Sequence, residues 1–143
     1  SEKIVKVLNS FGIQFDVNLK KSSVKLWGTG KVMREFLHVD DMAAASIFVL
    51  ELDKKKYQKN TKAMLSHINI GTGTDITIEE LAKRIKNILG YEGDISFDHS
   101  KPDGSPRKLI DVSLLTKIGW RSKIGLEEGI KRTYEKYLSN ITK

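Results

Sequence analysis

One segment of the chain carries a helix signal at each of its ends. Thr77 and Glu80 have the spacing of a capping box, and Ile76 and Leu81 stand where a hydrophobic staple would place them. Apolar residues then recur at helical spacing as far as Gly90, and glycine favours the left-handed conformation in which helices end. This is the clearest local signal in the sequence, and it predicts an amphipathic helix between the box and the glycine.

Short segments that alternate apolar and polar residues predict strands around this helix. We expect strands at 23–27, 67–70 and 94–98, with extended structure from Arg34 to Val39. Further helices are expected over Met42–Leu52 with Asp40 or Asp41 as N-cap, from about Val112 to Gly119 with Asp111 as cap, and around Leu126, Ile130, Tyr134 and Tyr137. The helix at 42–52 is apolar on nearly every face, which predicts burial on most of its sides. The fold class is therefore α/β, with short strands and at least three helices.

Residues 1–23 allow two interpretations. Ile4, Val5 and Leu8 suit a helix that ends before Gly12, whereas 13–19 alternates like a strand. Both remain open, so the chain is divided into an uncertain segment, 1–23, and a domain over 24–143.

Length and composition favour one compact, soluble domain. The chain has 143 residues, 39% of them hydrophobic, and no cysteine, which excludes a disulfide scaffold and thiolate metal sites. Its longest apolar run, Met42–Leu50, is far shorter than a membrane span, and no signal peptide is visible. We expect a cytoplasmic protein with no membrane contact.

The charge balance is basic, with 25 Lys and Arg residues against 18 Asp and Glu residues and a formal net charge of +7. The densest basic stretch, 53–62, is expected to be a solvated loop. Because no nucleic-acid motif accompanies it, an anionic small molecule is a better partner than nucleic acid.

No residue pattern for catalysis is visible. The turn Gly71-Thr72-Gly73 lacks the third glycine of a dinucleotide fingerprint, since that position is Ile76, so a structural turn is expected. No tyrosine is followed by a lysine four residues later, and the three histidines form no metal-ligand pair. The sequence predicts no catalytic, cofactor-binding or metal-binding residue in this chain.

Two polar loops could bind a ligand. The first, 27–34, places the indole of Trp27 and the guanidinium of Arg34 around a glycine turn, and these groups suit a base and a phosphate. The second, 100–108, is stiffened by two prolines and is basic, and its Asp103 could accept from ribose or guanine donors. Together they predict an anion-binding pocket with an aromatic cap.

These residues resemble the extended short-chain dehydrogenase/reductase family, in the version found in GDP-L-fucose synthases. The matching segments are 27–43 (WGTGKVMREFLHVDDMA), 67–73 (HINIGTG), 100–108 (SKPDGSPRK) and 119–120 (GW). The resemblance covers residues 24 to about 138 and implies a C-terminal substrate-binding domain without the Rossmann half. Residues 1–23 depart from the family.

The resemblance also implies roles for four residues. Trp27 would pack against the GDP moiety, Arg34 would bind its diphosphate, Lys108 would reinforce the phosphate contact, and Asp103 would hold the nucleoside side. The complete enzyme would epimerise GDP-4-keto-6-deoxy-mannose at C3 and C5 and reduce C4 with NADPH. It would be a homodimer.

Two alternatives stay open within this interpretation. The complete enzyme could act on another GDP-6-deoxy sugar such as a heptose, or the chain could be a non-catalytic nucleotide-sugar binding module. The chain alone is expected to bind no NADP, to lack reductase activity and to expose apolar surface on the helices near 42–52 and 78–89.

Overall fold

The computed structural model describes residues 2–16 and 20–141. In chain order its elements are α1 (Glu2–Ser10), β1 (Ile13–Asp16), β2 (Lys21–Trp27), β3 (Met33–Glu35), α2 (Val39–Leu50), α3 (Lys54–Asn60), β4 (Asp75–Thr77), α4 (Ile78–Leu89), β5 (Asp94–Asp98), β6 (Arg107–Lys108), α5 (Ser113–Ile118) and α6 (Leu126–Ile141). This is the mixed α/β fold expected from the sequence.

The chain divides into two compact units, whereas its length predicts a single compact domain. The first unit comprises Ser1–Met33 and Ile76–Arg107, and the second comprises Arg34–Asp75 and Lys108–Lys143. Each unit is thus built from two separate stretches of sequence, a connectivity that length alone does not reveal.

The first unit is organised by a three-stranded sheet of order β1-β2-β5. β1 is antiparallel to β2, and β2 is parallel to β5. Both interpretations of the N-terminal segment hold in part, because a helix ends at Ser10 and a strand begins at Ile13. The rest of the predicted strand, 17–19, lies outside the described residues.

The helix α4 forms as predicted. The hydroxyl of Thr77 accepts from the amide of Glu80 at 3.1 Å, and the Glu80 carboxylate accepts in return from the amide of Thr77, at 3.4 Å. The helix ends at Gly90 with φ of 64°, the left-handed conformation expected of a glycine stop. Strands β2 and β5 and the final helix α6 also confirm the sequence predictions.

The second unit contains a small apolar core. Four buried residues form it, and six half-buried residues pack around them: Ala45, Leu115, Ile118 and Trp120, then Phe48, Val49, Leu52, Ile68, Ile70 and Leu114. The prediction that the 42–52 helix is buried on most sides is wrong. Within α2 only Asp41 and Ala45 are buried, and Leu50 is 85% exposed.

The start of α2 also differs from the prediction. The N-cap is His38, whose Nδ1 accepts from the amide of Asp40 at 3.2 Å, so neither Asp40 nor Asp41 is the cap. An imidazole nitrogen two residues before the expected position supplies the acceptor that the first turn requires. The strand β3 ends at Glu35, although the backbone of His38 is still extended, and Val39 already belongs to α2 and not to the extended segment predicted.

Two further segments depart from expectation. The lysine-rich stretch expected as a loop forms α3, because the Asp53 carboxylate caps it by accepting from the amides of Lys55 and Lys56. Residues 67–70 form no strand. A strand requires a hydrogen-bonded neighbour, and no described strand pairs with this segment, which packs Ile68 and Ile70 on the core instead.

Candidate functional site

Two loops begin at the carboxyl ends of β2 and β5 in the first unit. Trp27 pairs with Asp98 at the end of this parallel ladder, and the amide of Gly28 donates to the carbonyl of Asp98 at 3.0 Å. The turn after β2 and the loop after β5 therefore start side by side. This edge of a sheet is where open α/β proteins bind their ligands.

Asp103 joins the two loops. Its Oδ1 accepts from the backbone amide of Thr29 at 2.8 Å, and its Oδ2 accepts from the hydroxyl of Thr29 at 2.6 Å. Gly28 has φ of 80°, and a Cβ there would overlap Oδ1 of Asp103. Glycine is required at this position for both its conformation and the close approach of the carboxylate.

Trp27 is the exposed aromatic group of this site. Its side chain is 76% exposed, and Nζ of Lys101 lies 5.6 Å from the centre of the ring. A lysine at this distance makes a cation–π contact with one face of the indole. An exposed indole with an adjacent ammonium group can bind a planar base and a nearby negative charge.

The loops carry a local electrostatic pattern. Hydrogen bonds from the side chain and amide of Thr29 lower the pKa of Asp103 below its ordinary value, helped by His99 and Lys31. Hydrogen bonds from Ser100 lower the pKa of Asp98 in the same way. Both carboxylates are therefore ionised at neutral pH and act as fixed acceptors for the loops.

Arg34 and Lys108 lie in the second unit, on the neighbouring strands β3 and β6. Arg34 is half-buried and Lys108 is exposed. Of the four residues expected to bind substrate, the structure thus brings together Trp27 and Asp103 in the first unit and Arg34 and Lys108 in the second.

Glu35 is a structural acceptor that the sequence analysis did not single out. Its carboxylate accepts from the amide and hydroxyl of Thr72, from the amide of Gly73 at 2.7 Å and from the amide of Ile110 at 2.9 Å. Burial acts to raise the pKa of Glu35, but these hydrogen bonds outweigh it and lower the pKa below its ordinary value. No local pattern could have identified partners this far along the chain.

The turn at Gly71-Thr72-Gly73 does not fit a dinucleotide pyrophosphate. Two of its amides, those of Thr72 and Gly73, already donate to Glu35, and a carboxylate in that position repels a phosphate. Glu35 thus holds this turn within the second unit.

Asp41 has a comparable structural role in the second unit. It is buried, and its Oδ2 accepts from the amides of Lys123 and Ile124 at 2.9 and 2.8 Å. The two neighbouring carboxylates have different partners, because Asp41 holds the segment before α6 and Oδ2 of Asp40 lies 3.6 Å from Nδ1 of His38.

The described part of the chain lacks two kinds of feature. No cluster of three or more His, Cys, Asp or Glu residues there could hold a metal ion. None of its helices combines the length and the apolar character needed to cross a bilayer.

Comparison with known proteins shows which proteins the chain resembles. The model of the NAD dependent epimerase/dehydratase family matches residues 6–71. GDP-L-fucose synthase of Escherichia coli (strain K12) is 57% identical over 82% of this chain, and GDP-L-fucose synthase 1 of Arabidopsis thaliana is 47% identical over 82%. By these matches the chain is similar to proteins of the NAD dependent epimerase/dehydratase family. This confirms the resemblance carried by the 27–43 and 100–108 segments.

Two solved structures of Campylobacter jejuni proteins have a similar fold. A GDP-6-OMe-4-keto-L-xylo-heptose reductase has a TM-score of 0.84 and 44% identity, and the match covers 97% of this chain and 38% of that one. A GDP-D-glycero-L-gluco-heptose synthase, solved in the presence of NADPH, has a TM-score of 0.81 and 43% identity, covering 96% and 37%. The chain also spans only about a third of the curated relatives, 36% of the first and 34% of the second.

Proposed function

We propose that this chain is the substrate-binding part of an NADP-dependent GDP-4-keto-6-deoxy-mannose epimerase/reductase that makes GDP-L-fucose. The observation that carries the proposal is the exposed Trp27 between two linked loops at the carboxyl ends of β2 and β5. The 57% identity to a GDP-L-fucose synthase supports the choice of nucleotide sugar. A Rossmann half, a homodimer and a cytoplasmic location belong to the same proposal for the full-length enzyme.

The residues of this chain bind and orient the GDP moiety. The indole of Trp27 offers an aromatic face to guanine. Arg34 offers a planar fork of donors to the diphosphate, and Lys108 offers a compact positive charge. Asp103 contributes to the nucleoside side of the site. NADPH would supply the hydride for C4 in the full-length enzyme, and the reacting groups would lie in the rest of that enzyme.

A second candidate is a reductase of a GDP-heptose. The observation that favours it is the similarity to the two heptose enzymes, at TM-scores of 0.84 and 0.81. Both candidates use the same GDP-binding residues, so only turnover of the two keto-sugars by the full-length enzyme separates them.

The first test is titration of the 143-residue chain with GDP by calorimetry. We expect Arg34→Ala to weaken GDP binding by about ten- to a hundred-fold, since losing a charged hydrogen bond costs about 1.5–3 kcal/mol. Lys108→Ala should weaken it less, because an ammonium makes a point contact. GMP, which lacks the second phosphate, should bind more weakly than GDP and should be less sensitive to Arg34→Ala.

Arg121→Ala is the matched control, because it removes an exposed arginine of the same unit that the proposal does not use. It should leave GDP affinity unchanged to within about twofold. An Arg34→Ala chain that binds GDP normally but melts several degrees lower would show that Arg34 is structural and would overturn its binding role.

A further inference from the structure

Asp103 has both carboxylate oxygens committed to one residue of the neighbouring loop. Oδ1 holds the amide of Thr29 at 2.8 Å, and Oδ2 holds its hydroxyl at 2.6 Å. Charge-assisted hydrogen bonds of this length are the stronger kind, and two on one residue fix orientation as well as distance. Asp103 therefore acts as a clamp between the two loops. Its contacts differ from those of a carboxylate that is left open for a ligand.

The loop that carries Asp103 is also anchored on both sides of it, and on the side of β5 the amide and hydroxyl of Ser100 donate to Oδ1 of Asp98 at 3.1 and 2.6 Å. The amide of Lys101 donates to the carbonyl of Asp98 at 3.1 Å, and the carbonyl of Pro106 accepts from the amide of Met33 at 2.8 Å. Asp103 lies between these anchors, in a stretch where every residue is exposed. Its bonds to Thr29 therefore set how the middle of the loop lies against the turn.

The position of this loop in turn sets the surroundings of the Trp27 ring. Trp27 is exposed and has little packing to fix its orientation, but Lys101, two residues before Asp103, lies over one face. If the clamp opens, the loop is free to move away and Lys101 with it. An aromatic group that is already oriented binds a base with less loss of rotamer freedom than a mobile one.

We propose that Asp103 is a positioning residue: by clamping Thr29 it holds the 99–106 loop so that the indole of Trp27 is pre-oriented for the base of a nucleoside diphosphate. This inference rests on the proposed function, since it assigns Trp27 to the nucleoside. It revises the expectation that Asp103 contacts ribose or guanine directly. The carboxylate stays ionised among His99, Lys31 and the Thr29 donors, so the clamp is closed at neutral pH.

A double-mutant cycle on the 143-residue chain, with GDP as the ligand, separates positioning from direct contact. Asp103→Asn and Thr29→Val should each weaken GDP binding by about five- to tenfold, and Thr29→Ser should restore most of what Thr29→Val loses. In a Trp27→Ala background, Asp103→Asn should cost less than about twofold, because the residue through which it acts is gone. Asp111→Asn is the control, since it neutralises a carboxylate that binds the Ser113 amide in the other unit.

If Asp103→Asn weakens GDP binding as much in the Trp27→Ala background as in the wild type, Asp103 contacts the ligand itself and the proposal is overturned. A second readout needs no ligand: the ¹⁵N relaxation of the Trp27 indole N–H, assigned with Trp27→Phe. The order parameter of this indole N–H should fall in Asp103→Asn and in Thr29→Val, and it should stay unchanged in Asp111→Asn. Unchanged indole order in the two clamp variants would also overturn the proposal. Failure of the wild-type chain to bind GDP would instead count against the proposed function, and the indole signal would still decide the clamp.

Discussion

Glu35 accepts hydrogen bonds from residues 37, 38 and 75 positions further along the chain. It thereby joins the end of β3 to the turn after residue 70 and to the segment that follows β6. Backbone amides that lose such an acceptor stay unsatisfied in a half-buried site, which costs more than the bond itself contributes. Glu35 is therefore expected to be a main determinant of stability in the second unit.

Replacing Glu35 by Gln tests this role. The amide retains the shape of the side chain but loses its charge and places an N–H₂ group among N–H donors. We expect the free energy of unfolding to fall by about 2 kcal/mol, measured by thermal and urea denaturation at pH 7. Glu135→Gln, on the exposed part of α6, is the matched control and should change it by less than about 0.5 kcal/mol.

The difference in stability between the wild type and Glu35→Gln should depend on pH in a defined way. The pKa of Glu35 in the folded chain is below its value in the unfolded chain, which is about 4.3. The stabilisation is therefore fully present above about pH 4.3 and is lost as the pH falls through the lower folded value. The stability difference between wild type and Glu35→Gln should shrink in acid, and a difference that stays constant down to pH 2 would contradict the role of the charge.

Some residues of the site could be predicted and others could not, for a physical reason. The turn at 28–30 follows from local conformational preference, because glycines favour a turn wherever the chain goes. The bond between Thr29 and Asp103 links residues 74 positions apart, and those of Asp41 span 82 and 83. Such contacts depend on which strands pair, and no pattern along a single sequence specifies that.

Among the elements, α4 and α2 show the same contrast. Every signal of α4 lies within its own sequence, so its start and end were predictable from Thr77, Glu80 and Gly90. The apolar composition of α2 predicts burial, but burial also requires a partner surface, and most of this helix remains exposed in the structure. Residues 67–70 form no strand for a similar reason. Their alternating pattern favours a strand, but a strand also requires a neighbouring strand with which to form hydrogen bonds.

The capping box gives a prediction at this scale. Thr77→Ala removes the acceptor for the Glu80 amide and should lower the free energy of unfolding by about 1 kcal/mol. Thr77→Ser keeps the hydroxyl and should retain most of that stability. Urea denaturation followed by circular dichroism measures both, and equal losses in the two variants would assign the effect to the β-branched shape of threonine and not to the cap.

At the scale of the whole molecule, the distribution of apolar surface is unusual for a chain with 39% hydrophobic residues. Among the described residues only Ala45, Ile76, Leu115, Ile118 and Trp120 are buried hydrophobic side chains. By contrast, Val39, Met42, Ile47 and Leu50 are exposed, and their spacing places them on one side of α2. Exposed apolar patches larger than a few hundred Å² usually mark interaction surfaces or cause association.

We therefore expect the isolated 143-residue chain to self-associate through α2. Sedimentation equilibrium should show species heavier than the 16.2 kDa monomer, with a fraction that rises with protein concentration. The double variant Ile47→Lys with Leu50→Lys places charges within the apolar side and should shift the equilibrium to monomer. Ser139→Lys with Asn140→Lys adds the same charge on exposed polar positions of α6, so it controls for net repulsion. If this control dissociates the chain equally well, charge and not the apolar side of α2 governs association. A wild-type chain that stays monomeric at high concentration would show that these exposed side chains are too dispersed to drive association.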